Sequence, residues 1–330
     1  MMQHGLGFTF SHAPVTILTG YLGAGKTTLL NHILSAPHGQ RIAVIVNEFG
    51  EISIDDKLIV RGDDEIIEMA NGCMCCVVKD DTVETLFSMK ERRLGRAGSP
   101  IVFDRVIIEA SGVANPVPIM RMLLEDDRLV DGYTLDGVVA LVDAVHLGQQ
   151  LGRSVEVKQQ IACADLVVVN KVDLVDEIVL PHIVRSVAVL NPRARIVTST
   201  NGMIDVHELF SLHSFGGDIS INEYHTEQQH DQHVQSVVLR SSRPLVKDVF
   251  HEWITNNLIF RGEDMYRYKG IVAIEGDPKR TILQGVHAYF DMSSGEVWKE
   301  GENQESVLVV IGRDLDREML KESFRACGVL

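Results

Sequence analysis

The octapeptide Gly20-Tyr-Leu-Gly-Ala-Gly-Lys-Thr27 constrains this chain more than any other stretch. It reads G-x-x-x-x-G-K-T, follows an apolar run at 15–18, and precedes Leu29, Leu30, Ile33 and Leu34 at helical spacing. Strand, glycine loop and helix in that order build a phosphate cradle. The glycines let backbone N–H groups turn inward, and the helix N-terminus adds partial positive charge. Gly20, Gly23, Ala24, Gly25, Lys26, Thr27 and Thr28 are therefore expected to surround the phosphates. Lys26 is expected to reach the β- and γ-phosphates as a catalytic cation, and the Thr27 hydroxyl to hold Mg²⁺. A nucleoside triphosphate is the expected ligand.

Short β-rich runs at 15–18, 42–46, 105–109, 137–142, 166–170 and 195–198 alternate with helical stretches. Most are continuously apolar, as strands buried on both faces are. The pattern predicts an α/β P-loop NTPase domain over 1–215 with a mainly parallel, doubly wound sheet. Residues 216–233 are polar and carry His225, His230 and His233, and read as a linker. These histidines bind metal transiently or are ordinary solvated residues. Over 234–330 a smaller α+β domain follows, with strands at 234–239, 270–274, 281–290 and 307–311 and helices at 244–257 and 317–326.

Net charge is −15 over 330 residues, which argues against nucleic acid or an anionic membrane as partner. No apolar run reaches the ~18 residues of a membrane span, and with no basic segment followed by an apolar one at the N-terminus, no signal peptide is expected. Three of the five cysteines crowd into four positions, which is no disulfide framework. A reducing cytoplasm is the expected location.

Asn170-Lys-Val-Asp173 follows a strand and has the chemistry to read guanine. A carboxylate at Asp173 accepts from guanine N1–H and from the exocyclic amine, which adenine cannot match. Asn170 is expected at the N7 and O6 edge, with the Lys171 stem over the base. Glu109-Ala-Ser-Gly112 also ends a strand, where Mg²⁺ or the attacking water is organised. Glu109 is the expected catalytic carboxylate, and the Gly112 N–H is expected at the γ-phosphate. No in-chain arginine finger is evident, so intrinsic GTP hydrolysis is expected to be slow.

Asn71-Gly-Cys-Met-Cys-Cys76 lies between these nucleotide segments. In an extended chain Cys73 and Cys75 share a face and Cys76 points away. Two thiols with a carboxylate or histidine make a transition-metal site, and Glu51 is the best upstream partner. The segment around Glu51 is expected to be the first switch loop, with Asp55 and Asp56 near the phosphates and Asp55 a second Mg²⁺ contact. The lone Cys163 and Cys327 read as packing residues.

Taken together, these motifs resemble the CobW-like family of P-loop metallochaperone GTPases, most nearly its YjiA-type members. Carrying the resemblance are the phosphate loop, Asn47-Glu-Phe-Gly-Glu51, Gly72-Cys-Met-Cys-Cys76, Glu109-Ala-Ser-Gly112, Asn170-Lys-Val-Asp173, Tyr268-Lys-Gly270 and Gln284-Gly-Val286. It implies a CobW-type C-terminal domain and GTP-linked handling of Zn²⁺, Co²⁺ or a similar ion for a client metalloprotein. The family's metal-binding cysteine and carboxylate map to Cys75 and Glu51. Some relatives carry a glutamate where this chain has Val46, so a site using that carboxylate cannot form in the same way. Homodimerisation driven by metal or nucleotide is compatible with the class. The rival readings are a zinc buffer or sensor with incidental GTPase activity, and a small-molecule kinase.

Overall fold

The computed structural model describes residues 12–47, 59–60, 66–69, 74–77, 82–210, 212, 234–299 and 301–328, with backbone alone for 47 and for the segments between 59 and 77. In the first unit the elements are β1 (Ala13–Gly20), α1 (Lys26–Ser35), β2 (Ile42–Asn47), β3 (Ile59–Val60), β4 (Ile66–Met69), β5 (Met74–Val77) and α2 (Thr82–Arg93). They continue with β6 (Arg105–Ala110), α3 (Val117–Glu125), β7 (Tyr133–Asp143), α4 (Leu147–Arg153), α5 (Val155–Cys163), β8 (Leu166–Asn170), α6 (Leu180–Leu190) and β9 (Arg195–Thr198).

The nine strands lie in the order β3-β4-β5-β2-β6-β1-β7-β8-β9. From β5 to β9 every pairing is parallel, while β3 and β4 add an antiparallel edge. Alternate residues of the central strands bury against opposite helix layers. Leu18, Val44 and Ile107 pack with Leu29, Leu30 and Ile33 of α1. Val15, Ile17, Ile45 and Ile108 pack with Leu86 of α2 and Met120 and Leu123 of α3. Burial of both sheet faces explains the continuously apolar strand sequences.

A second sheet holds β10 (Gln235–Ser241), β11 (Met265–Ala273), β12 (Lys279–Val286), β13 (Tyr289–Val297) and β14 (Ser306–Gly312), ordered β10-β14-β11-β12-β13 and antiparallel throughout. One face is covered by α7 (Lys247–Ile254) and α8 (Arg317–Ala326), through Phe250, Trp253 and Phe324. The other face contributes Tyr266, Val286, Val309 and Ile311 to the same core cluster as Met120, Ala162 and Cys163. A Cβ at Gly285 would overlap the Tyr268 ring, which lies across β12 and donates from its hydroxyl to Tyr289 O at 3.0 Å. The Tyr-Lys-Gly and Gln-Gly-Val motifs thus share a packing reason.

The expected single strand at 281–290 is instead the hairpin β12–β13. The chain turns at His287, whose φ of 52° is left-handed without being glycine. The expected helix at 244–257 starts at Lys247 and ends in a π turn, Thr255–Ile259. Cys163 and Cys327 are buried, as packing residues should be.

Candidate nucleotide and metal site

Gly20 ends β1 with φ 146°, and a Cβ there would lie 2.5 Å from Leu141 O. Gly23 and Gly25 have φ of 76° and 105°, so the loop adopts the left-handed turns that glycine permits. Lys26 opens α1, is 6% exposed, and donates from Nζ to Gly20 O at 2.9 Å. The ammonium is thereby folded over its own loop. Thr28 is exposed on the following turn.

Glu109 is 2% exposed at the carboxyl end of β6, in register with Leu18 of β1 and Val46 of β2. The Thr27 hydroxyl donates to Glu109 Oε1 at 3.3 Å. Two residues far apart in sequence thus meet beneath the loop, and both offer oxygen, the donor that a hard cation such as Mg²⁺ prefers. Beyond Glu109, Gly112 is buried so closely against Leu22 of the phosphate loop that a Cβ would lie 3.0 Å from the Leu22 amide nitrogen. Gln160 of α5 holds this segment by donating to Gly112 O at 3.3 Å and Ala114 O at 3.1 Å.

In the Asn-Lys-Val-Asp segment, Asn170 and Lys171 each have protein partners of their own. Asn170 is 2% exposed and braces the fold. Its Nδ2 donates to Ala24 O at 2.9 Å, and its Oδ1 accepts from Gly202 N at 3.0 Å. A Cβ on Gly25 would overlap the Asn170 amide, so loop glycine and asparagine are fitted to each other. Lys171, with φ 62°, extends Nζ to Asp143 Oδ2 at 2.7 Å. Asp173 lies exposed in a short 3₁₀ turn, Val172–Leu174, with its carboxylate accessible to a base.

Asp143, which the motif reading did not single out, ends β7 and is 3% exposed. Burial alone would raise its pKa, but hydrogen bonds from Lys171, His146 and the Val145 amide hold it below the usual carboxylate value. The signal for it was an aspartate closing a buried strand beside the one that carries Asn170. Gln160 and Gly202 carried no motif signal.

Glu51, Asp55 and Cys73 lie outside the described residues. Cys75 and Cys76 fall in β5, where their backbones pair with Val44 and Ile45 of β2 and with Ile67 and Ile66 of β4. The linker histidines also lie outside. Among the described residues no helix is long and apolar enough to cross a membrane.

A parallel sheet with a glycine loop and lysine at the carboxyl end of its central strand defines a P-loop nucleotide-binding protein. Residues 14–198 match the CobW/HypB/UreG nucleotide-binding domain, and residues 234–328 match the cobalamin synthesis protein CobW C-terminal domain. The chain belongs to this CobW/HypB/UreG family. It is 35% identical to the zinc chaperone YjiA of Escherichia coli K12, over 94% of this chain and 97% of that one. It is 32% identical to the zinc chaperone CobW of Pseudomonas aeruginosa, over 96% and 92% of the two chains. It is 31% identical to the zinc-regulated GTPase metalloprotein activator 1 of Schizosaccharomyces pombe, over 94% and 84%. The crystal structure of the Zn(II)-bound YjiA GTPase from E. coli superposes with a TM-score of 0.82 at 34% identity, covering 97% of this chain and all of that one.

Proposed function

We propose that this protein hydrolyses GTP and uses the cycle to hold and release Zn²⁺, or a similar transition-metal ion, for a client metalloprotein in a reducing cytoplasm. The observation that carries the reading is that Lys26 and Thr27 after β1, Glu109 of β6 and Asp173 after β8 all lie at the carboxyl ends of parallel strands of one sheet, where open α/β sheets bind ligands. The names of the relatives supply the metal: two are zinc chaperones and one a zinc-regulated GTPase activator. In this reading the GTPase unit runs to about residue 215, a linker to 233, and the CobW-type unit from 234 onward.

The residues divide the reaction among them. Lys26 leaves Gly20 O for the β- and γ-phosphates and offsets the charge that develops during in-line attack of water. Glu109 orients water beneath the loop. The Gly112 N–H meets the γ-phosphate, and Asp173 selects guanine. Mg²⁺, when held by Thr27 and Glu109, adds charge neutralisation on the phosphate oxygens. Residues Glu51, Cys73, Cys75 and Cys76 take the transferred ion, and Asp55 approaches the phosphates.

The sheet itself supports a coupling between the two ligands. Val77 and Glu109 both pair with Val46 of β2, so Cys76 stands one residue before the row that contains Glu109. Two strand spacings, about 10 Å, separate those backbones. Metal and γ-phosphate would thus bias neighbouring segments of one sheet, and their coupling is reciprocal.

Adding stoichiometric Zn²⁺ or Co²⁺ to metal-stripped protein is expected to change the GTP hydrolysis rate, and Cys75→Ala to abolish that change. Metal binding at an unchanged rate would leave two independent sites and sink the coupling.

The guanine assignment has its own test, because Asp173 and Asn170 should fail differently. Asp173→Asn is expected to shift preference from GTP to xanthosine triphosphate, since the amide matches the xanthine edge. Asn170→Ala removes the brace between Ala24 and Gly202, so GTP and xanthosine triphosphate should both weaken by about tenfold. Unchanged GTP preference in Asp173→Asn would refute base reading by that residue. A loss of guanine selectivity in Asn170→Ala would place Asn170 at the base edge as well.

A further inference from the structure

A cavity of about 170 Å³ lies between the two sheets, remote from the phosphate loop. Its floor is formed by Asp165 and Arg195, at the amino ends of β8 and β9, with Arg193 between α6 and β9. The Asn-Lys-Val-Asp segment lies at the opposite, carboxyl end of β8. Its roof is β11, where Arg267 and Lys269 occupy alternate positions on the face turned to α5, opposite Ile311 and Val309 of β14.

The charge of this lining is lopsided. Arg193, Arg195, Arg267 and Lys269 surround it, and Asp165 is the one carboxylate among the described lining residues. Both Asp165 oxygens are engaged: Oδ1 accepts from Arg267 at 2.6 Å and Oδ2 from Val138 N at 3.0 Å. Arg195 is drawn to Glu208 at 2.6 Å. Arg193 is the informative group: its Nε and Nη1 are buried and donate to no partner among the described residues. A buried donor without an acceptor is destabilising, and a charged one more so. Burial, with Arg267 nearby, pushes the Arg193 guanidinium down to about 10, and burial pushes Lys269 down to about 8. Both groups gain from a negative charge placed between them.

We propose that this interdomain cavity is a binding site for a small oxyanion of the phosphate class, held by Arg193 and Lys269 and bridging the two sheets. The volume is below the roughly 300–1,000 Å³ of pockets for drug-sized ligands, which excludes a nucleotide and suits a phosphate group. Guanidinium and ammonium side chains together are a usual phosphate-binding pair. Because residues from both sheets line it, the anion would add to a junction already held by the Arg267–Asp165 pair, the Gln159–Tyr266 hydrogen bond and the shared apolar cluster.

The test uses full-length, metal-stripped protein with its phosphate loop filled by a non-hydrolysable GTP analogue. Thermal unfolding is followed while inorganic phosphate, or glycerol 3-phosphate, is titrated at constant ionic strength against chloride. Wild type is expected to show a saturable rise in Tm. The tighter of the two ligands would identify the source as free phosphate or a phosphorylated metabolite. Arg193→Met is expected to match or exceed wild-type Tm without phosphate, because it removes an unsatisfied buried charge, and to lose the phosphate response. Lys269→Met is expected to weaken phosphate affinity by about tenfold or more, which keeps the test open if the first variant does not fold. No saturable shift in wild type, or a full shift in either variant, would overturn the site.

Discussion

Lys26→Ala is expected to lower the GTP hydrolysis rate by about 10²–10³-fold, the loss typical of removing one pre-placed transition-state donor. The side chain is 6% exposed and its Nζ rests 2.9 Å from Gly20 O, over the loop that we propose holds the phosphates. The effect should fall mainly on the chemical step. GDP lacks the γ-phosphate, and its affinity should drop far less than the rate. Lys26→Arg should not rescue, because the larger planar guanidinium does not fit a loop shaped around Gly20, Gly23 and Gly25. Single-turnover hydrolysis beside GDP titration separates the two quantities. A Lys26→Ala protein that hydrolyses GTP within about threefold of wild type would remove this loop from the chemistry. The same variant distinguishes the readings of metal function. If metal-dependent behaviour in cells survives Lys26→Ala but not Cys75→Ala, the protein acts as a zinc buffer or sensor.

What was legible in the sequence was whatever a local pattern determines. Strands β1, β6 and β8 are apolar runs closed by Gly20, Glu109-Ala110 and Asn170, so both the strand and the polar group at its end could be read together. Parallel order followed, because buried parallel strands lose the alternation that marks a solvated face. Asn170 shows where this reading stops. An amide suits a base edge as well as the Ala24 carbonyl and Gly202 amide, and only the fold brings those last two partners to it. The turn at His287 was hidden because Val-His-Ala-Tyr contains none of the residues that usually mark a reversal. Asp143 was hidden because its partner, Lys171, comes from the next strand.

Contacts between the sheets were the least legible. Arg267 and Asp165 are separated by 102 positions, and neither sits in a motif. The adjacent residues Gln159 and Gln160 divide their attention. Gln160 donates to the Gly112 carbonyl, while Gln159 donates to the Tyr266 hydroxyl of β11 at 3.2 Å. One turn of α5 therefore touches both the segment expected at the γ-phosphate and the C-terminal sheet. A shift of that segment with nucleotide state has a short, packed route to the second sheet, as coupling through contiguous contacts requires.

Asp136→Ala is expected to cost about 3–5 kcal/mol of stability while leaving nucleotide chemistry intact. Arg105 and Asp136 form a pair at 2.5 Å with side chains only 4% and 5% exposed. The guanidinium also donates to Thr16 Oγ1 at 2.8 Å and Phe210 O at 3.0 Å, and lies 4.7 Å from the Phe210 ring. Removing the carboxylate leaves a buried charge with neutral partners only, which places the effect towards the lower end of that range. At about 2–4 °C per kcal/mol for a domain of this size, the first unfolding transition should fall by roughly 10 °C. Replacing both residues, with Arg105→Met and Asp136→Leu, should recover much of the loss, because the fault is the unpaired charge and not a missing attraction. Arg105 starts the strand that Glu109 nearly ends, so four residues, about 13 Å, separate the pair from the site. The rate of GTP hydrolysis at 25 °C should therefore stay near wild type. An unchanged unfolding midpoint in Asp136→Ala would mean that Thr16, Phe210 and the aromatic ring suffice to hold the guanidinium in the core.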